Sequence, residues 1–248
     1  MDPYQLLIER LTLDNKPLLL GVAASGVIGY MQYYYAIRVT IREGKGPIPF
    51  WLHLFYLAHD STWSYLLGGA ASRFDEHWFL RGTSTALMLW SFLEIFCIQR
   101  CIFKDRETTF APLLGLNPSL GLILQYTVLM QLAMYSVVVL LILLMGEGCM
   151  MQWFCLTNVL MILGTLHEYL RRGSRYGLSL GFCLVNVACA IWTFAPFGQW
   201  ALCFPEIFDR AAYYNIGLIM GACSIWGFIV VARYPPKTSG EYGPSPIW

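Results

Sequence analysis

Charge is what this sequence has least of. Only 12% of its 248 residues are Asp, Glu, Lys or Arg, while 57% are hydrophobic. A soluble domain carries roughly a quarter of its residues as charges, so a water-soluble globule is excluded. The sixteen basic and fifteen acidic side chains nearly cancel, and no stretch concentrates the positive charge that a nucleic-acid partner demands. There is no CxxC pair and no Cys/His cluster at zinc-site spacing. The eight cysteines (97, 101, 149, 155, 183, 189, 203 and 223) lie mostly in apolar runs, where a free thiol packs as a small hydrophobe. A P-loop, a GxGxxG between strand and helix and an HExxH are all missing. The first fifteen residues hold Asp2, Glu9, Arg10 and Asp14 rather than a basic start and an apolar run. No cleavable signal peptide is therefore expected, and the first apolar segment serves as its own insertion signal.

What the sequence does have is long apolar runs. A helix that crosses a bilayer needs about 20 mostly apolar residues. Seven segments qualify, at 17–37, 48–69, 79–99, 120–145, 149–168, 178–198 and 208–232. Lipid cannot satisfy exposed backbone groups, so the segments are helices and not open strands. The expected fold is all-α: a polytopic membrane protein with a seven-transmembrane-helix bundle over residues 1–232 as one domain. The Pro- and Gly-rich tail, 233–248, is expected to be disordered and cytosolic. The fourth segment, with VVVLLILLM at 137–145, is the most apolar and the one expected to face lipid.

The basic residues orient the bundle. Arg38, Arg42, Lys45, Arg100, Lys104, Arg106, Arg171, Arg172, Arg175, Arg233 and Lys237 fall on one side, eleven in all. Arg10, Lys16, Arg73, Arg81 and Arg210 make five on the other. The positive-inside rule then puts the C-terminus in the cytosol and the N-terminus in the lumen, the endoplasmic reticulum being the expected membrane.

A charge at mid-bilayer costs about 2.5–3.5 kcal/mol and marks a functional site by default. In the second segment, IPFWLHLFYLAHDSTWSYLLGG, Asp60 lies near the middle. His53, Tyr56, Asp60, Trp63 and Ser64 share one face through i, i+3, i+4 and i+7 spacing, with Leu52, Leu54, Phe55 and Leu66 over much of the rest. Asp60 alone would suffice to tie two helices together; a stripe with two histidines exceeds what such a tie requires. His53 and His59, taken singly, read equally as packing residues or as partners of Asp60. Glu94 in the third segment, one turn after Trp90, lies toward the cytosolic end, where snorkelling and a site role compete. Asp209, in CFPEIFDRAAYYNIGL, follows Pro205, which can open the last helix, and is expected on the same side as the upper half of the second. Asp60 and Asp209 are thus expected to line one cavity. Glu206 and Arg210 read as solvated, and His167, Glu168 and the following arginines as interface residues. No metal is expected, since His59 and Asp60, adjacent in a helix, point about 100° apart.

These residues resemble the small integral membrane terpene cyclases of meroterpenoid and indole-diterpene pathways, the pyripyropene and paspaline type. That family carries G-x-P-x10-E into its second helix; here Gly46 or Pro47 precedes Pro49, and Asp60 follows. Asn158, Met161, Arg172, Ser174, Gly177 and Ser179 resemble its fifth-helix segment and R-x-S-x-x-G-Q-S loop. CFPEIFDRAAYY resembles its C-x-x-x-D-x-x-Y opening of helix seven, with Tyr213 four residues after Asp209, and Glu94 falls where the family has an acid. Asp60 stands for the family's glutamate, His59 for its Trp and Leu178 for its Gln, which marks a divergent member.

The resemblance implies protonation-initiated cyclisation of a prenylated, epoxidised lipophilic substrate, with no cofactor and no metal. The DDxxD and DxDD motifs of soluble terpene synthases are absent. Asp60 would be the acid and Asp209 the second acid, with Glu94, His53 and His59 in support. Tyr56, Trp63, Trp90 and Tyr213, with Tyr214, would line the substrate. Opening an epoxide needs an undissociated acid, and aromatic faces stabilise the resulting cation without trapping it. Competing readings are a sterol-isomerase-like membrane enzyme and a small transporter or receptor. Short loops and the lack of an NPxxY-like ending disfavour a receptor, and the lack of an inverted repeat disfavours a transporter.

Overall fold

The computed structural model describes residue 2 and residues 4–238. All the regular structure among them is helical. The order is α1 (Gln5–Arg10), α2 (Lys16–Glu43), α3 (Phe50–Arg73), α4 (Trp78–Phe103), α5 (Arg106–Leu114) and α6 (Leu120–Met145). A 3-10 turn at Glu147–Cys149 leads to α7 (Met150–Arg172), α8 (Leu180–Phe194), α9 (Gln199–Cys203), α10 (Pro205–Phe208) and α11 (Ala211–Arg233).

A helix occupies each apolar segment picked out in the sequence. Among the described residues, five stretches are long and apolar enough to cross a membrane: Trp78–Phe103, Leu120–Met145, Glu147–Arg172, Leu180–Cys203 and Ala211–Arg233. The helices α2 and α3 fall outside this set. One carries Lys16, Arg38, Arg42 and Glu43; the other carries His53, His59, Asp60 and Arg73. Helices α2, α3, α4 and α7 run four to six residues past their expected ends, and proline moves two further boundaries. Helix α8 stops at Phe194, two residues before Pro196, where the residue preceding a proline is driven out of helical backbone. Pro205 begins the separate short helix α10, so the last long helix starts only at Ala211.

The chain gathers into two compact units. One holds α3 to α6 with the residues up to Tyr4; the other holds Gln5–Pro49 and everything from Met151 on.

In the first unit α3 is buried on nearly every side. Leu52, Leu54, Ala58, Trp63 and Leu67 are all sealed, and only Trp51, Tyr65 and Gly69 with the Ser72–Arg73 end are exposed. Of the residues that cover the rest of the helix beside the polar stripe, Leu52, Leu54 and Phe55 are buried and Leu66 is half-buried. Helix α4 packs antiparallel to α3. Ser64 Oγ donates to the Ser84 carbonyl at 2.8 Å, and Ser84 Oγ donates to the Ser64 carbonyl at 2.7 Å. Gly68 lets the helices approach this closely, since a Cβ there would lie 3.2 Å from Ser84 Oγ. Helix α6 joins through Gln131, whose amide donates to the Leu54 carbonyl at 3.0 Å. Beyond that contact α6 buries little, only Ile123 and Val138 being fully enclosed. Phe50 meets Phe110 edge-on at 4.7 Å and closes the core between α3, α4, α5 and α6.

In the second unit α8 packs between α2 and α11. Gly181 lies under the Tyr35 ring and Gly217 against Phe194, close approaches that a side chain would block. One end of the unit is tied by ions. The Glu43 carboxylate accepts from the Gly177 amide at 2.7 Å and from Lys237 Nζ at 2.5 Å. Lys237 also donates to the Leu178 carbonyl at 2.5 Å. Gly177 has φ of +71°, and a Cβ there would strike Arg172 and Lys45, so only glycine fits. Glu168 binds Arg171 at 2.7 Å and Arg172 at 2.8 Å, and Arg172 reaches the Gly46 carbonyl at 2.5 Å. The start of the tail is therefore anchored where disorder was expected, with Tyr234 also donating to the Tyr169 carbonyl at 2.9 Å. The rest of the expected disorder, 239–248, lies outside the described residues.

Burial pushes the Lys237 ammonium below its ordinary pKa, against the opposing pull of Glu43. Truncating one partner of a buried pair strands the other, which costs about 3–5 kcal/mol. Glu43→Ala removes the acceptor of both Gly177 and Lys237, so it should lower the thermal unfolding midpoint of the micelle-purified protein more than Lys237→Ala does. Equal midpoints for Glu43→Ala and the unaltered chain would contradict this.

Candidate functional site

The polar residues of α3 gather at its middle. Asp60 is 5% exposed and His59 1%, and His59 Nδ1 lies 2.7 Å from Asp60 Oδ1. Neighbours on a helix leave the backbone about 100° apart, yet these two side chains curl into one pair, contrary to the expected divergence. Phe55, one turn earlier, stacks on the His59 ring at 6.1 Å. Tyr56 and Trp63 are buried beside the pair in sequence and edge its face of the helix. The stripe His53, Tyr56, Asp60, Trp63 and Ser64 is thus wholly interior.

Glu94 corrects the sequence reading most. It neither snorkels nor reaches an interface: its exposure is 0%, and His53 Nδ1 lies 2.5 Å from its Oε2. The reason is register. With Ser64 opposite Ser84, moving about three turns along each antiparallel helix brings His53 opposite Glu94. His53 therefore serves Glu94, and only His59 touches Asp60. Trp90, one turn before Glu94, is half-buried.

In the second unit Asp209 stands in the break between α10 and α11, exposed, and accepts from Tyr214 Oη at 2.7 Å. The break comes from Pro205, so Asp209 is not the enclosed acid that was expected. Glu206 on α10 is exposed, and Arg10, 3.0 Å away, holds its carboxyl below the usual range. Tyr213 is buried, donates to the Thr193 carbonyl at 2.5 Å and leans on Phe194 and Phe208. Among the described residues no group of three His, Cys, Asp or Glu converges as a metal site would require.

Sequence reasoning missed a second polar cluster. Gln32 on α2 donates to Asn186 on α8 at 2.7 Å, and Asn186 donates to Thr165 on α7 at 3.0 Å, with Tyr169 at 3.4 Å. All four are buried. The signal was available: each amide is isolated within an apolar run, where it must find a partner. Glu43, just past the predicted end of the first span, gave no comparable signal because an acid there reads as solvated.

No protein-family model matches the chain, and neither a characterised protein nor a solved structure is detectably similar to it.

The three-helix junction at Asn186 is open to test. Asn186→Leu leaves the Gln32 amide without its acceptor, and a buried donor stranded in this way costs about 1–3 kcal/mol. Gln32→Leu combined with Asn186→Leu removes both groups and should recover part of the loss, measured as the unfolding midpoint in micelles. Additive losses would show that the two amides do not act together.

Proposed function

We propose that this chain is a membrane-bound terpene cyclase that opens and cyclises a prenylated, epoxidised lipophilic substrate by proton transfer, without a metal. The observation that carries the reading is the His59–Asp60 pair, a carboxyl and an imidazole 2.7 Å apart and both under a tenth exposed, at the middle of a central helix. A proton shared by such a pair is shielded from water, which an acid acting on a weakly basic epoxide oxygen needs. Asp60 gives its proton to that oxygen, the C–O bond breaks, and the prenyl chain closes on the carbon left electron-poor. His59 holds the carboxyl in place and stabilises the anion left behind. The aromatic rings of Tyr56, Trp63 and Phe55 lie on the same stretch of α3, and faces of this kind favour a desolvated cation by roughly 2 kcal/mol or more. A carbon next to the final cation then loses a proton to the Asp60 carboxylate, its C–H electron pair forming the C=C bond and the acid being restored.

In this reading the seven long helices all lie in the membrane of the endoplasmic reticulum, α2 and α3 with their polar groups turned inward. The N-terminus is lumenal and the C-terminus cytosolic, by the asymmetry of the basic residues. Partners are membrane lipids and the lipophilic substrate. Asp209 is the candidate second acid of the reaction. A sterol-isomerase-like reaction uses the same chemistry from a ring alkene, and product profiles on prenyl epoxides and sterols separate the two.

Microsomes carrying Asp60→Asn, assayed on a prenyl epoxide, should lose at least about 100-fold in product formation, the usual worth of a positioned acid. Asp209→Asn should cost less than Asp60→Asn does, as for a group that assists and does not donate. Full product from both variants would end the assignment.

A further inference from the structure

Glu94 and His53 play no part in the reaction as written above, yet they are the most deeply buried ionisable pair in the first unit. Their exposures are 0% and 3%, and they meet at 2.5 Å. His53, Tyr56 and Asp60 follow one another at three- and four-residue steps along one face of α3, all buried. His53 and Asp60 are two turns apart, about 10 Å at 1.5 Å per residue.

We propose that His53–Glu94 is a second proton-holding pair, coupled to His59–Asp60 along this face so that the four groups titrate as one unit. The state of Glu94 then sets the pH range over which Asp60 carries a proton. The inference rests on the cyclase reading only for what Asp60 does with that proton; the coupling itself is a property of α3 and α4.

The surroundings leave few other titrating groups to account for such coupling. Packed against α3, helix α4 presents Glu94 and the buried Cys97 thiol one turn further on. Helix α6 presents Tyr135, whose hydroxyl is bonded to Ser61 at 2.8 Å, and Tyr126, which stacks near Phe50. On α3 itself there are only the two histidines, Asp60, Tyr56 and the exposed Tyr65 before the Arg73 end. Each acid is balanced by a histidine, the one side chain whose ordinary charge change falls near neutral pH. Interacting sites of this kind release protons in steps that belong to the set and not to a single residue.

The test is an infrared titration of the purified protein in lipid nanodiscs, following the carbonyl stretch of protonated carboxyls. The Asp60 band is assigned by its loss in Asp60→Asn and the Glu94 band by its loss in Glu94→Gln. At a separation near 10 Å and the effective dielectric of protein interiors, Glu94→Gln should move the midpoint of the Asp60 band by about one pH unit. Glu94→Asp should return it toward the original value, which a merely structural role would not achieve. If Glu94→Gln does not fold, His53→Gln keeps the acid, breaks the pair, and should move both bands together. An Asp60 midpoint unchanged in the folded variant overturns the proposal. No turnover enters the measurement, so a cyclase assignment that failed for want of product would leave this result standing, and the reverse.

Discussion

The constraint on which the rest of this structure depends is the cost of taking a carboxylate out of water. Five acids, Glu43, Asp60, Glu94, Asp105 and Glu168, are each less than a tenth exposed. Isolated, each would cost several kcal/mol. The Thr108 and Thr109 hydroxyls donate to Asp105, and the other four have a cation or an imidazole at contact: Lys237 at Glu43, His59 at Asp60, His53 at Glu94, and two arginines at Glu168. These partners restrict how the helices pack. His53 meets Glu94 only in the register that also sets Ser64 against Ser84, so a slip of one residue between α3 and α4 would break both contacts.

The two units solve the problem differently. In the second, the acids lie at helix ends and draw on the arginines of the last turn of α7 and the lysine that follows α11, so neutralisation doubles as anchoring for the α7–α8 loop and the first residues of the tail. In the first, Asp60 and Glu94 lie within helices and are met by histidines of α3. A lysine fixes a charge in place. A histidine near neutrality leaves the proton free to be on either partner.

How much of this was legible depended on sequence distance. The long helices announced themselves by length and apolarity, and the polar stripe of α3 by its three- and four-residue spacing, because both signals are local. The pairing of His53 with Glu94 is not local: forty-one residues separate them. Depth counting along α4 suggested snorkelling because it took no account of what α3 would set opposite. Asp209 was misplaced for the converse reason. Pro205 was seen, but its effect on the length of α11 was underestimated, and the acid fell outside the helix. Glu43 and Lys237 hid in plain view, each reading as an ordinary interface residue until the chain brought them together.

A purely structural account of α3 has to explain why its ions are there at all. Replacing a buried ion pair with apolar residues of similar volume is often neutral or stabilising, and one serine clasp already fixes the α3–α4 register. The chain contains four histidines. The two that are buried both lie on α3 and both touch carboxylates, while His77 and His167 are not buried and bond to no acid among the described contacts. Helix packing alone gives no reason for that sorting; the proton transfer proposed for α3 does, since it needs an acid and a nearby group of matched affinity, both kept from water.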